Sequence, residues 1–202
     1  MRTSILCLSC ALGVLLAPGG GSFARADDYE NLVDQYLQQM GAEGYFMTPE
    51  NNAYVTPTFP EYVFFGVYFQ QYPLGITPPE GLAESNVFLM DTVTEDINFL
   101  IAPEDLLAFF QANWTPPPGG AAQRDSLKNA AKTWLELSAQ FSQDGYYRFS
   151  PPAVEEVDGK AYGVIKVEQG GKGFLSVTMA IGPTGTLSVE EVRQIQRGIR
   201  PL

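Results

Sequence analysis

The amino-acid sequence predicts an α+β protein. An N-terminal helix and short antiparallel strands precede two helices packed on a C-terminal antiparallel β-meander. Three observations carry this reading. Apolar residues recur at helical spacing in "APEDLLAFFQANW" and "AAQRDSLKNAAKTWLELSAQFSQDG". The last third of the chain alternates apolar and polar residues, as in "FLSVTMAI". Asp158-Gly159 between two such runs is a strong hairpin signal.

Taken in order, the first element is a helix from Asp28 to Met40. Tyr29, Leu32, Val33, Tyr36, Leu37 and Met40 form one apolar face, acidic residues fill the first turn, and Gly41 suits the end. A turn-rich loop leads to "FPEYVFFGVYFQQYP", Phe59–Pro73, in which seven of fifteen residues are aromatic. Its β-branched and aromatic content, with Gly66 in the middle, predicts a strand over 62–71 rather than a helix. Apolar side chains on both faces (Tyr62, Phe64, Tyr68 and Tyr72 against Val63, Phe65, Val67 and Phe69) suit a central strand covered by helices. "SNVFLMD" and "INFLIA" predict two strands joined by the polar loop "TVTED".

Pro103 opens the next helix at its first position, with Leu106, Leu107, Phe110 and Trp114 on the buried side. "TPPPGG", Thr115–Gly120, cannot continue it and forms a stiff spacer. In the following helix Leu127, Ala130, Ala131, Trp134, Leu137, Ser138 and Phe141 share a face, and Gly145 ends it. "YYRFS", "AVEEV", "KAYGVIKVE" and "FLSVTMAI" then predict strands, with hairpin turns at Asp158-Gly159, "GGKG" and "GPTG". "TLSVEEVRQIQR" carries a capping box, Ser188-x-x-Glu191, that favours a helix. A strand pairing with 174–181 completes the meander, and strand is the expectation adopted.

The first 26 residues predict a secretory signal peptide. Arg2 precedes a 13-residue apolar stretch, Ile5–Ala17, and "ARA" places the cut between Ala26 and Asp27. The apolar stretch is shorter than the roughly 20 residues of a membrane helix, so no membrane span is expected. Cys10 lies inside it, which disfavours a lipoprotein. The expected organisation is a signal peptide at 1–26, an acidic α+β region at 27–114, the linker at 115–120 and a helix plus antiparallel sheet at 121–202. Export to the periplasm or the extracellular space follows.

Processing would remove both cysteines, and the chain has no histidine. No disulfide, thiol nucleophile, imidazole base or usual zinc site is then expected, and no cofactor motif is present. Between Arg25 and Arg124 there are 14 acidic residues and no Lys or Arg. The residues after the cut keep 10 of the 12 basic residues against all 23 acidic ones, a net of −13. Such a surface disfavours nucleic acid and anionic lipid, leaving an unknown protein or small ligand as the expected partner. The acidic loop Asp91–Asp96 lacks EF-hand spacing and reads as a solvated hairpin.

The succession "FPEYVFFGVYFQQYP…PPEGLAESNVFLMD", "FLIAPEDLLAFFQANWTPP", "AAKTWLELSAQFSQDGYYRFSPP" and "GIRP" resembles an uncharacterised family of exported, signal-peptide-bearing bacterial proteins. The resemblance runs from about residue 58 to the end. It implies export and the strand assignments, and carries over no site residue. The arrangement of helix and curved sheet is similar to cystatin-like and NTF2-like proteins, a shape that serves many functions.

The expected function is a non-enzymatic binding or protein-interaction module. A carboxylate-dependent hydrolase and a structural component of an envelope assembly are the alternatives. Tyr68, Tyr72 and Trp114 are the candidate ligand-stacking residues, since aromatics with a polar tip suit interfaces. Trp114 and Trp134 equally suit the core faces of their helices.

Overall fold

The computed structural model describes residues 31–32, 34–36, 38, 44–45, 54–66, 68–69, 87–100, 103–140 and 147–198. The expected signal peptide and its expected cleavage site at Ala26–Asp27, together with Tyr72, Phe141 and Gly145, lie outside the described residues. The elements are β1 (Gly44–Tyr45), α1 (Val55–Thr58), β2 (Tyr62–Gly66), β3 (Tyr68–Phe69), β4 (Val87–Asp91), β5 (Ile97–Leu100), α2 (Pro103–Asn113), α3 (Gly120–Gln140), β6 (Arg148–Phe149), β7 (Ala153–Val157), β8 (Lys160–Gln169), β9 (Gly171–Ile181) and β10 (Leu187–Arg197). The α+β class and the C-terminal antiparallel meander are as the sequence predicts. The described residues of 31–38 are helical, in line with the first expected element.

The aromatic stretch departs from expectation. It forms two strands with different partners: β2 pairs with β4, and β3 with β1. Gly66 ends β2, where a missing side chain weakens continuous pairing. In the three-stranded sheet β4 is central and β2 lies at one end of the order β2-β4-β5, so β2 is not the central strand expected. Two-sided burial does hold. Phe64 and Phe65 point to opposite faces, yet are only 1% and 2% exposed. The helix over Phe64 is α2: its Phe109 ring meets Phe64 edge-on at 5.5 Å and Tyr62 at 5.0 Å.

The β4–β5 hairpin turns on Asp91, whose carboxylate accepts the backbone N–H groups of Val93 (2.7 Å) and Thr94 (3.1 Å). This local bonding is the usual work of Asp in a turn.

α3 is buried almost all round between Ala130 and Ala139, beyond the single apolar face that periodicity predicts. Leu135 and Thr133 are both fully buried. One side rests on the five-stranded sheet of β10-β9-β8-β6, with β7 also on β8. Ala161, Gly163 and Ile165 of β8 and Leu175, Val177 and Met179 of β9 form the buried face of that sheet. Gly163 admits the helix closely, since a Cβ there would lie 2.8 Å from Leu135 Cδ1. The other side of α3 receives α1, and the Phe110 ring of α2 packs on Trp134 at 5.3 Å. One core cluster therefore runs across the Thr115–Gly120 spacer, joining Phe59, Phe64 and Phe110 to Trp134, Leu175 and Met179.

The Asp158-Gly159 turn has φ of 52° and 77°, the positive pair a type I′ hairpin requires. In "GGKG" only Gly170 forms the turn, and Gly171, Lys172 and Gly173 belong to β9. The contested segment is strand, and eleven register pairs with β9 override its local capping box.

Candidate functional site

Polar side chains concentrate at two places around α3, and an exposed sheet face forms a third feature. The first cluster surrounds Tyr54, just before α1. Thr133 Oγ1 lies 2.8 Å from the Tyr54 carbonyl oxygen, and Thr58 Oγ1 lies 2.8 Å from the same atom. The two hydroxyls are 2.9 Å apart. Glu136, one turn beyond Lys132, accepts the Tyr54 backbone N–H. Lys132 Nζ stands over the Tyr54 ring, 4.8 Å from its centroid. Three residues of α3 thus hold the N–H, carbonyl and ring of one tyrosine. Burial pushes the Glu136 carboxyl up to about 7 despite the opposing Tyr54 hydrogen bond. Its Oε2 is buried and has no hydrogen-bond partner. A carboxyl in this state holds or releases a proton near neutrality.

The second cluster ties α3 to β10. Glu191 Oε2 accepts from Trp134 Nε1 at 2.6 Å and from Ser138 Oγ at 2.8 Å. Arg193 reaches Glu191 Oε1 and the Ser138 carbonyl, each at 3.2 Å. The Glu191 side chain is only 16% exposed. With both oxygens engaged by donors, this carboxylate is a fixed anchor between layers rather than a free base.

The third feature is the sheet face turned away from α3. Register places Glu155, Tyr162, Thr178 and Glu190 in one row across four strands, with Ala153, Val164, Ser176 and Val192 in the next. Tyr162 is 46% exposed, Val157 51% and Val192 43%.

Of the expected aromatic candidates, Tyr72 lies outside the described residues. Trp114 sits in the core at 8% exposure. Tyr68 lies on β3, paired with Tyr45. Among the described residues no three acidic, Cys or His side chains are grouped to hold a metal ion, and no helix is long and apolar enough to cross a membrane.

Sequence reasoning passed over Glu136, Glu191 and Tyr162. The signals were present: Glu136 interrupts the apolar run "TWLELSA", and the alternation of Leu187, Val189 and Ile195 puts Glu191 on the inward face. Comparison of the chain with protein-family models, curated proteins and solved structures finds no match in any of the three.

Proposed function

We propose that the chain is an exported, non-enzymatic module that binds a protein or small ligand through the open face of its C-terminal sheet. The observation that carries this reading is the exposure of Tyr162, Val157 and Val192 on strands whose other face is packed. Large apolar side chains held on a rigid sheet and bordered by Glu155, Lys160 and Glu190 offer an apolar centre with a charged rim. Two inward or turn carboxylates support the same reading, because Asp91 and Glu191 are both engaged by internal donors. Export rests on the apolar N-terminal segment and the Ala26–Asp27 cleavage signal.

The test is a pull-down from envelope and secreted fractions, using the exported chain and a Val157→Asp/Tyr162→Asp variant. A partner retained by the first and lost by the second supports the reading. No partner above background, or one held equally by both, overturns it. N-terminal sequencing of the exported protein should begin at Asp27.

Glu136 favours one second reading, a carboxylate-dependent hydrolase that uses it as general acid. Turnover of glycoside or ester substrates that is abolished in Glu136→Gln would support it. Absence of turnover by the unmodified chain would remove it.

A further inference from the structure

We propose that the β10 edge is a self-association surface, on which a second copy of this chain adds its own β10 antiparallel about a two-fold axis centred on Val192. The strand edge borders the sheet face above and shares Val192 and Glu190 with it, but its test reads mass and cross-linking rather than ligand capture, so the two readings can fail separately.

The direction of the β10 backbone follows from two hydrogen bonds. Gly182 N donates to the Thr186 carbonyl and Gly198 N to the Gly170 carbonyl, both at 2.9 Å. They frame an unshifted register of eleven pairs, from Leu187 opposite Ile181 to Arg197 opposite Gly171. Hydrogen-bonded pairs alternate along an antiparallel ladder, so even-numbered residues of β10 turn their N–H and C=O toward β9. Odd-numbered residues turn theirs to the other side. The Leu187 carbonyl agrees, since it accepts from Gln111 Nε2 of α2 at 3.5 Å. Among the described residues no strand lies beyond β10. Val189, Glu191, Arg193 and Ile195 therefore present a row of backbone donors and acceptors that no described strand receives.

Long edges of this kind are usually blunted by proline, a bulge or a lone inward charge. β10 has no proline and its register is unbroken. Its inward-facing side carries Glu191 and Arg193, opposite in sign and two residues apart, with Arg197 at its very end. That spacing selects a partner. Two-fold pairing through odd residues centred on Glu191 or on Arg193 sets like charge against like. Centred on Val192, it sets Glu191 opposite Arg193 of the partner subunit, twice by symmetry. Val189 then meets Ile195 of the partner subunit, and on the outer face Val192 meets the partner's Val192 while Glu190 meets the partner's Gln194. The charge and the apolar pattern choose the same register. Side-chain matching along a strand edge is how such additions gain specificity, with backbone hydrogen bonds supplying affinity. The product joins two five-stranded sheets into one.

The test measures mass by analytical ultracentrifugation across a concentration series of the full chain. The expected result is a monomer–dimer equilibrium. Val192→Lys and Val192→Glu, at a position already exposed in the monomer, should each weaken the dimer about tenfold by self-opposition. Mixing the two variants should restore it. In a Cys7→Ser/Cys10→Ser background, Val192→Cys should form an interchain disulfide, because opposed residues of a non-hydrogen-bonded pair lie about 4.5 Å apart. Glu190→Cys should not, its two copies being about 14 Å apart along the ladder. A chain monomeric throughout, a dimer indifferent to both Val192 charges, or equal cross-linking by the two cysteine variants overturns the proposal.

Discussion

The indole nitrogen of Trp134 and the carboxylate of Glu191 meet at 2.6 Å, joining the central helix to the last strand of the sheet. This short, charge-assisted bond is shared with Ser138, and Arg193 balances the charge. Removing the acceptor strands two partly buried donors. Glu191→Ala should therefore cost about 2–4 kcal/mol, from two hydrogen bonds to a charged group and the unsatisfied groups left behind. Glu191→Gln retains one carbonyl acceptor and should cost about half as much. Urea unfolding checks the order, and tryptophan emission should shift to the red in the alanine variant as water reaches Trp134. Equal stability of all three proteins would show that the tie contributes nothing.

Glu136 gives the fold a pH dependence whose sign is fixed by burial. Its carboxyl is raised from 4.5 to about 7 in the folded chain. The folded state therefore binds more protons than the unfolded state between those values, and stability falls as pH rises through the window. The contribution is complete below pH 4.5 and gone above about 7. Glu136→Gln keeps an acceptor for Tyr54 N–H and cannot ionise. The urea midpoint of the unmodified chain should fall relative to that variant from pH 5 to pH 8. Parallel profiles would place Glu136 in an environment more solvated than its orphaned Oε2 suggests.

The extent to which these features were legible in the sequence divides along the range of the forces involved. Helices α2 and α3, the β4–β5 hairpin, the Asp158-Gly159 turn and the strands of the meander are written in local periodicity and turn chemistry. The β10 strand was legible only through the tertiary argument, because Ser188 and Glu191 locally favour a helix start. The split between β2 and β3 was not legible: it depends on β4 and β1 competing for neighbouring residues of one aromatic run. The polar clusters were hidden for a similar reason. Thr133, Glu136, Tyr54 and Glu191 are separated by as many as 137 positions, and what unites them is the all-round burial of α3. An amphipathic pattern gives one buried face and leaves Glu136 in solvent. A second layer, α1, covers the residues that the pattern assigns to water.

Gly173 and Gly159 separate backbone strain from collision. Both have positive φ, 135° and 77°. A Cβ at Gly159 would meet nothing within 4 Å, whereas at Gly173 it would run into the Gln194 carbonyl oxygen of β10. Gly159→Ala should cost about 1 kcal/mol from conformation alone. Gly173→Ala must also push two strands apart and should cost on the order of 3 kcal/mol. Hydrogen exchange on β10 amides should accelerate in the second variant only. Equal costs would mean that the β9–β10 ladder yields at Gly173 without loss.

The three oxygens at the entry to α1 lead to a prediction about coupling. Thr58 Oγ1, Thr133 Oγ1 and the Tyr54 carbonyl oxygen lie within 2.9 Å of one another. Two hydroxyl protons serve three contacts, so no more than two of them are hydrogen bonds at any instant. Either hydroxyl alone can satisfy the carbonyl. Thr58→Val or Thr133→Val should each cost about 1 kcal/mol, because the remaining hydroxyl takes over. The double variant leaves the Tyr54 carbonyl without a side-chain donor, beside a fully buried position 133. Its cost should exceed the sum of the single costs by about 1–2 kcal/mol. A double-mutant cycle in urea measures this excess directly. Additivity within about 0.3 kcal/mol would mean that water already serves the Tyr54 carbonyl, and that α1 is held to α3 by Val55 and its apolar neighbours alone.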